Sequence, residues 1–311
     1  MKTKLILLVA SALLLTLNSG FAQGVLTPPG PPAPTMKSLD QIEARTPITN
    51  TTTLVTITQS GSYYLTHNLT VVSGNGIDIN ASGVTLDLNG FTISSTSAGA
   101  TGYGILINSG LSDLAIANGH IRGSVTNNGS GVYDGGGFDF GIYYSGNLPV
   151  NVLVSRVSVS GCQGYGIFLG GGNSTLVESC VVQTIGLAGI NAAIVKSCSA
   201  MDCGNGGIDA LQVSDSRGQC SGGGDAIYAN YLAQNCYGQS STGFGLYAGT
   251  ALNCIGYSYG AGDGLYASAT ASGCYGYSSS GTGLSAFIAN VCHGETSSGT
   301  ALSTTHNVNS Y

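Results

Sequence analysis

Residues Gly262–Ser280 read GDGLYASATASGCYGYSSS, preceded by GFGLYAGTALNCIGYSYGA and followed by GTGLSAFIANVCHGETSS. A chain that nearly repeats itself at a fixed short interval cannot bury the apolar face of one unit alone, so the units must stack. Aligned on Gly-x-[Gly/Ala]-[Ile/Leu], the aliphatic residue falls at Ile77, Ile105, Ile142, Ile167, Ile190, Ile208, Ile227, Leu246, Leu265, Leu284 and Leu302. From Ile190 onward the spacing is nearly constant, at eighteen or nineteen. The intervals before Ile190 are longer and uneven, which marks loop insertions in the early coils. The longest insertion contains GSVTNNGSGVYDGGGFDFG. A second column, two positions on, is Ala192, Ala210, Ala229, Ala248, Ala267 and Ala286. A third reads Cys162, Cys180, Cys198, Cys220, Cys236, Cys254, Cys274 and Cys292.

The repeats are too rich in glycine and in small and β-branched residues to be helix pairs. Alternation such as Leu265-x-Ala267-x-Ala269 has the strand period. At ~3.3 Å per residue, one repeat traces roughly 60 Å, the perimeter of a turn made of three short strands and three bends. Turns then stack at ~4.8 Å, and each column becomes a ladder of like side chains. The expected fold is all-β: a right-handed parallel β-helix (β-solenoid) of about 11–12 coils of roughly 18–19 residues, with longer early coils. A left-handed hexapeptide solenoid needs an aliphatic residue every sixth position, and Leu265, Ala271, Tyr277 and Gly283 fail that test. A calcium roll needs tandem G-G-x-G-x-D, of which only pieces such as GGGDAI occur.

Composition removes other classes. Glycine is 50 of 311 residues, but Gly-X-Y periodicity is absent and proline is only 7, which excludes collagen. Charged residues are 7%, against ~25% in an average soluble domain. Hydrophobic content of 42% is enough for a core. With 8 Lys+Arg against 14 Asp+Glu and no basic run, nucleic acid is not an expected partner.

The N-terminus, MKTKLILLVASALLLTLNSGFAQG, has Lys2 and Lys4, an apolar run from Leu5 to Leu17, then small residues to Ala22. This is the layout of a secretory signal peptide cleaved after Ala22, since the run falls short of the ~20 residues that span a bilayer. The expected organisation is a signal peptide at 1–22, a stiff Pro-rich linker at 23–36, an N-terminal cap at 37–60 and the β-helix at 61–311. Export to the periplasm, cell envelope or medium follows, with no membrane span.

The segments GSYYLTHNLTV, GNGIDINASGVTLDLNGFTI and NGHIRGS resemble the first coils of secreted bacterial parallel β-helix repeat proteins of the pectate-lyase-like superfamily. The later Cys- and Tyr-bearing coils resemble exported members without assigned activity. The resemblance covers roughly 50 to 305 of the numbering. It implies the right-handed fold and leaves the chemistry open, because this fold carries lyases, hydrolases, epimerases, adhesins and spacers. Lyases of the superfamily combine acidic calcium ligands with an Arg or Lys base. Beyond the signal, the cations are Lys37, Lys196, Arg45, Arg122, Arg156 and Arg217, none in such a cluster. The Asn-x-Asp, Asp-Asp, Gly-His-Gly and Arg-x-Lys motifs of polygalacturonase-type hydrolases are absent; Gly119–Ile121 lacks the second glycine.

His120, Arg122, Asp134, Asp139 and Arg156 lie in or beside the longest insertion. Loops on a rigid solenoid are where sites are grafted, and a carboxylate pair near a His or Arg could do acid–base work on a glycosidic or uronate substrate. The competing reading makes Asp134 and Asp139 turn residues among glycines. Asp225 and Asp263 share a column with Phe244 between them; at two turns apart, roughly 10 Å, they do not converge on a calcium ion.

Nine cysteines in an exported chain suggest disulfides. Eight in one column suggest instead a ladder of small buried thiols, the reading preferred here. No zinc site is read: Cys198 and Cys203 lack a second pair, and His293 adjoins Cys292 too closely to chelate with it. No cofactor is called for.

If the aliphatic residue points inward, its successor points outward. That successor is Tyr143, Phe168, Tyr228, Tyr247 and Tyr266, with Tyr237, Tyr257, Tyr275 and Tyr277 elsewhere in the coil. Such a ridge either stacks on sugar rings or only stiffens the stack. The expected role is a non-catalytic scaffold or binding module for extracellular polysaccharide or envelope glycan. The alternative is a carbohydrate-active enzyme, a polysaccharide lyase or glycoside hydrolase, with its site at 120–141. The polar last coil, GTALSTTHNVNSY, offers a strand edge for self-association.

Overall fold

The computed structural model describes residues 43–146, 149–172 and 174–311. The signal-peptide and linker assignments, and positions 37–42 of the cap, lie outside these. Arg45–Tyr311 forms one compact unit, built of parallel strands with no helix among the described residues. The only antiparallel pair among the described residues is the hairpin of Thr126–Asn127 with Tyr133–Asp134, inside the long insertion.

Each turn visits three faces. Face A carries the repeat's aliphatic residue: Ile77 pairs with Ile105, Ile105 with Ile142, and the ladder runs on to Leu246, Leu265, Leu284 and Leu302. Face B starts at Thr46–Ile48 and runs through Leu86, Ile116, Val154, Val213 and Ala251 to Asn307. Face C runs from Leu69 through Ile93, Ile121, Val159 and Gly256 to Gly294. The fold is thus a parallel β-helix of about 13 turns, one or two more than the sequence count. The extra turn comes from residues expected to form a cap: Thr46–Ile48 and Val55–Ile57 pair directly with Tyr63–Leu65 and Ile77–Ile79.

The core tapers. The aliphatic column of face A keeps Ile or Leu from Ile77 onward, while the column two positions on shrinks from Ile79 and Ile107 to Ala192, Ala210 and Ala229. Face B shrinks from Leu86 and Ile116 through Val154, Val177, Val195 and Val213 to Ala233, Ala251, Ala271 and Ala289, all buried. Face C shrinks further, from Ile121, Val159 and Val182 through Ala200 to Gly218, Gly238, Gly256, Gly276 and Gly294. At these last positions the face C backbone rests on the backbone entering face A. A Cβ on Gly238, Gly256, Gly276 or Gly294 would meet a carbonyl oxygen there at 1.9, 2.0, 2.1 or 1.9 Å. The early turns enclose a side-chain core, and the late turns are closed nearly backbone to backbone.

The bend from face B to face C needs one left-handed residue per turn. From Asn89 to Asn309 that corner has φ between 51° and 63°. Asparagine recurs there because its short polar side chain tolerates this region. Val291, β-branched and exposed, is the least suited occupant, at φ 51°.

The corner also explains the cysteines. The amide after the left-handed residue finds its acceptor on a side chain of the next coil. Cys180 N donates to Cys198 Sγ at 3.4 Å, Cys198 N to Ser216 Oγ at 3.1 Å, and Cys292 N to Ser310 Oγ at 3.0 Å. The thiol in turn donates to the carbonyl two positions back, as Cys236 does to Gln234 at 3.1 Å. Cys180, Cys198, Cys236, Cys254, Cys274 and Cys292 share this column with Ser216 and Ser310. The single column of eight expected from sequence is therefore two. Cys162 pairs in register with Ile185, Ile185 with Cys203, Cys203 with Cys220 and Cys220 with Ser240, at the far end of face C. All nine thiols are free and buried.

Candidate functional site

The outer surface of face A concentrates ring systems, because two positions per turn point outward there. One follows the aliphatic residue and the other precedes it by two. In the early turns these positions hold Tyr103, Phe140, Tyr143, Tyr165 and Phe168. Tyr143 stacks on Tyr103 at 4.9 Å between centroids and on Phe168 at 5.4 Å; Phe140 stacks on Tyr165 at 5.6 Å. In later turns Tyr228 and Tyr247 stack at 4.7 Å and 10°, and Tyr247 and Tyr266 at 5.1 Å and 14°, with Phe244 tilted beside them. Parallel register puts each ring one rung from its counterpart, so Tyr143, Phe168, Tyr228, Tyr247 and Tyr266 do form outward columns. The other expected tyrosines do not belong to this ridge. Tyr237, Tyr257, Tyr275 and Tyr277 lie on face C.

Two turns interrupt the ridge. Where Phe168 and Tyr228 would be joined by further rings, the column holds Asn191 and Asp209, and the accompanying positions hold Ala188 and Gly206. The missing ring volume leaves a cleft of about 350 Å³, walled by Tyr165 on one side and Tyr228 on the other, with Asp209, Asp225 and Asn205 on its lining. Three rungs separate Phe168 from Tyr228, so the gap is ~14 Å long.

The polar groups in this gap are linked. Asn191 Nδ2 donates to Asp209 Oδ2 at 3.0 Å, and Asn191 Oδ1 is shielded with no donor on it. Asp225 Oδ1 accepts the Phe244 amide at 2.9 Å. Asp209 keeps an open edge toward solvent, yet the surrounding groups displace enough water to raise its carboxyl, an effect partly offset by Asn191. Burial likewise raises Asp225, against the Phe244 amide, and the negative Asp209 raises it further. The Tyr228 hydroxyl is raised by burial, by Tyr247 and by both carboxylates. The cleft is thus an acidic saddle between two aromatic platforms.

The residues singled out from sequence are dispersed. His120 and Arg122 point outward from face C of strand Ser112–Arg122. Arg156 sits at the left-handed corner, donates Nε to Asn118 Oδ1 at 2.7 Å, and shares a shallow cavity of about 400 Å³ with His120. Arg122 lines a different cleft, of about 570 Å³, with Thr184 and Asp202. Asp134 is exposed on the hairpin, where its carboxylate accepts the Gly135 amide at 2.8 Å. Asp139 is half-buried at the corner entering face A, beside Phe140, and burial raises its carboxyl. The fold brings His120 to Arg156 and leaves the others apart.

The insertion is held down by Asp202, which accepts from Asn127 at 2.6 Å, Tyr133 at 2.7 Å, Thr184 at 3.0 Å and Ser221 at 3.2 Å. Burial opposes ionisation of Asp202, but these four donors hold its carboxyl below the usual range. Asn191 and Asp209 escape a reading of the sequence alone. The available signal is the lapse of the aromatic column for two turns. Among the described residues, no group of three or more His, Cys, Asp or Glu could hold a metal ion, and no helix is long and apolar enough to cross a membrane.

No protein-family model matches the chain, and no curated protein matches it. Among solved structures it is similar to the enzymatically active domain of bacteriophage CBA120 tailspike protein 2, with 16% identity and a TM-score of 0.41. It is also similar to the Dettilon tailspike protein, with 13% identity and a TM-score of 0.42. These alignments cover 81% and 84% of this chain, and the chain spans 38% and 61% of theirs.

Proposed function

We propose that the chain is an exported glycan-binding β-helix that seats a sugar chain along face A. The observation that carries this reading is the pair of stacked-ring platforms bracketing a polar cleft. Ring faces offer flat apolar area to the C–H faces of sugars, while Asn205, Asp209 and Asp225 on the cleft lining offer hydrogen-bond partners to hydroxyls. The rings are already ordered by stacking on one another, so little side-chain entropy is lost on binding. The test is a glycan-array measurement on the protein and on Tyr228→Ala, with far-UV circular dichroism to verify the fold. Binding weakened at least about tenfold is expected for a ring at the edge of the cleft. Equal binding by the variant would remove the reading.

The two carboxylates favour a second reading, a carbohydrate-active enzyme. Asp209 and Asp225 share one cleft, and the charge on Asp209 disfavours ionisation of Asp225, so the pair can divide into a protonated acid and an ionised base, as acid–base catalysis requires. Turnover of any member of a panel of neutral and uronate glycans, lost in D209N/D225N, would establish it. The version centred on 120–141 is separated by running D134N/D139N on the same panel. Export belongs to the same proposal, and sequencing the secreted protein would find Gln23 at its start. Self-association through the outer edge of Leu302–Val308 would appear as concentration-dependent sedimentation.

A further inference from the structure

The cations of this solenoid avoid face A, whereas its acids occur on every face. Among the described residues, every Lys and Arg lies off face A. Arg45 pairs with Asp87 and covers Tyr64 on face B, and Lys196 ends a face B strand. Arg156 is at the corner between faces B and C, and Arg122 and Arg217 are on face C. Face A and the corner leading into it carry the opposite charge: Asp78, Asp139, Asp209, Asp225 and Asp263. Two of these, Asp209 and Asp225, lie in the cleft between the aromatic platforms. Asp209 is held from the turn before by Asn191, whose Nδ2 donates to it at 3.0 Å.

These features act on a ligand in one direction. A uronate brings negative charge to a surface without a cation to receive it, and is repelled. A neutral sugar stacks on the rings and donates hydroxyls to the carboxylates, but carries no charge of its own to be attracted. A protonated amino sugar stacks equally well and gains charge-assisted hydrogen bonds to Asp209 and Asp225. Its ammonium also meets the negative faces of the bordering rings, Tyr165 and Tyr228.

Resting on the glycan-binding reading of face A, we propose that the cleft between Phe168 and Tyr228 selects cationic amino-sugar oligomers over neutral ones and rejects uronates.

The test is calorimetric titration, at low salt and mildly acidic pH, with three oligomers of equal length: glucosamine, N-acetylglucosamine and galacturonic acid. The glucosamine oligomer is expected to bind at least about tenfold tighter than its acetylated counterpart, a difference of ~1.4 kcal/mol, with the uronate weakest. Raising the ionic strength should shrink that ratio in the unmodified protein, and D209N/D225N should bring it close to one. Equal affinities for the charged and acetylated oligomers, or a preference that persists in D209N/D225N, would overturn the selectivity and leave glycan binding standing. Failure of all three oligomers, together with an empty glycan array, would overturn the binding reading itself.

Discussion

Replacing Gly256 with alanine adds a methyl group between two backbones that already touch. The new Cβ would lie 2.0 Å from Gly264 O, 2.8 Å from Gly264 C and 3.2 Å from Leu246 N. Ordinary contact begins near 3.4 Å, so faces A and C would have to part by about 1.4 Å at that turn. They cannot part freely: Leu246 N donates to Gly264 O at 3.0 Å, and Gly245 N to Asp263 O at 3.1 Å. Rotamer adjustment gives no relief, because the obstructing atoms belong to the backbone. Overpacking costs typically about 1–3 kcal/mol, and this rigid case is expected at about 3 kcal/mol or above. For a domain of this size that lowers Tm by roughly 6–12 °C. Gly99 is the matched control, with no atom within 4 Å of its added Cβ and no positive φ. Gly99→Ala should be neutral or stabilising by about 0.4–1 kcal/mol, through the unfolded chain. Urea unfolding of the two variants, followed by far-UV circular dichroism, makes the comparison. Gly256→Ala within about 0.5 kcal/mol of the parent protein would refute the claim that the late turns close backbone to backbone.

Five further outcomes rest on the same fold. Val291→Asn should raise stability by about 1 kcal/mol in urea unfolding, because a β-branched residue is held at φ 51° where the equivalent corners carry Asn235 and Asn253. Asp202→Asn should loosen the insertion at a cost of about 1–3 kcal/mol and expose Asn128–Val132 to limited proteolysis. Since folding depresses the Asp202 pKa below 3.8, its stabilisation is present above that value and disappears as pH falls through the lower folded value; the parent hairpin should become protease-sensitive only in acid. Thiol titration should find no reactive cysteine in the native protein and nine after denaturation, because all nine are buried away from the reagent. Cys254→Ser should cost less than about 1.5 kcal/mol, because Ser216 and Ser310 already cap the same corner.

The stacking of Leu246, Leu265 and Leu284 is legible in the sequence because face A closes on itself at a nearly constant interval and the aliphatic side chain has one place to go. The cysteine columns are not separable by spacing. Cys198 and Cys220 stand further apart in the chain than one late coil, so treating them as equivalents conceals a shift from the corner to the far end of face C. The first turn escapes because Thr46–Ile48 and Val55–Ile57 lack the glycine-aliphatic motif that marks later turns. The taper on face C is present as Gly238, Gly256, Gly276 and Gly294, but glycine in a strand reads as a turn or bulge until the opposing backbone is seen. At the candidate site, the ring columns are visible by parity. Asp209 is not, since a single acid breaking an aromatic column looks like an ordinary surface residue. Its partners Asn191 and Asp225 come from the turns before and after it, so no local motif joins the three.

Hydrogen-exchange mass spectrometry of the full protein, with and without saturating glucosamine oligomer, tests the account most directly. Protection is expected in the face A segments Phe140–Tyr144, Tyr165–Phe168, Gly206–Asp209 and Asp225–Tyr228, with the face C strands Tyr237–Ser240 and Tyr257–Ser258 unchanged. Protection confined to the hairpin at 126–134 or to face C, with face A exchanging as before, would contradict it.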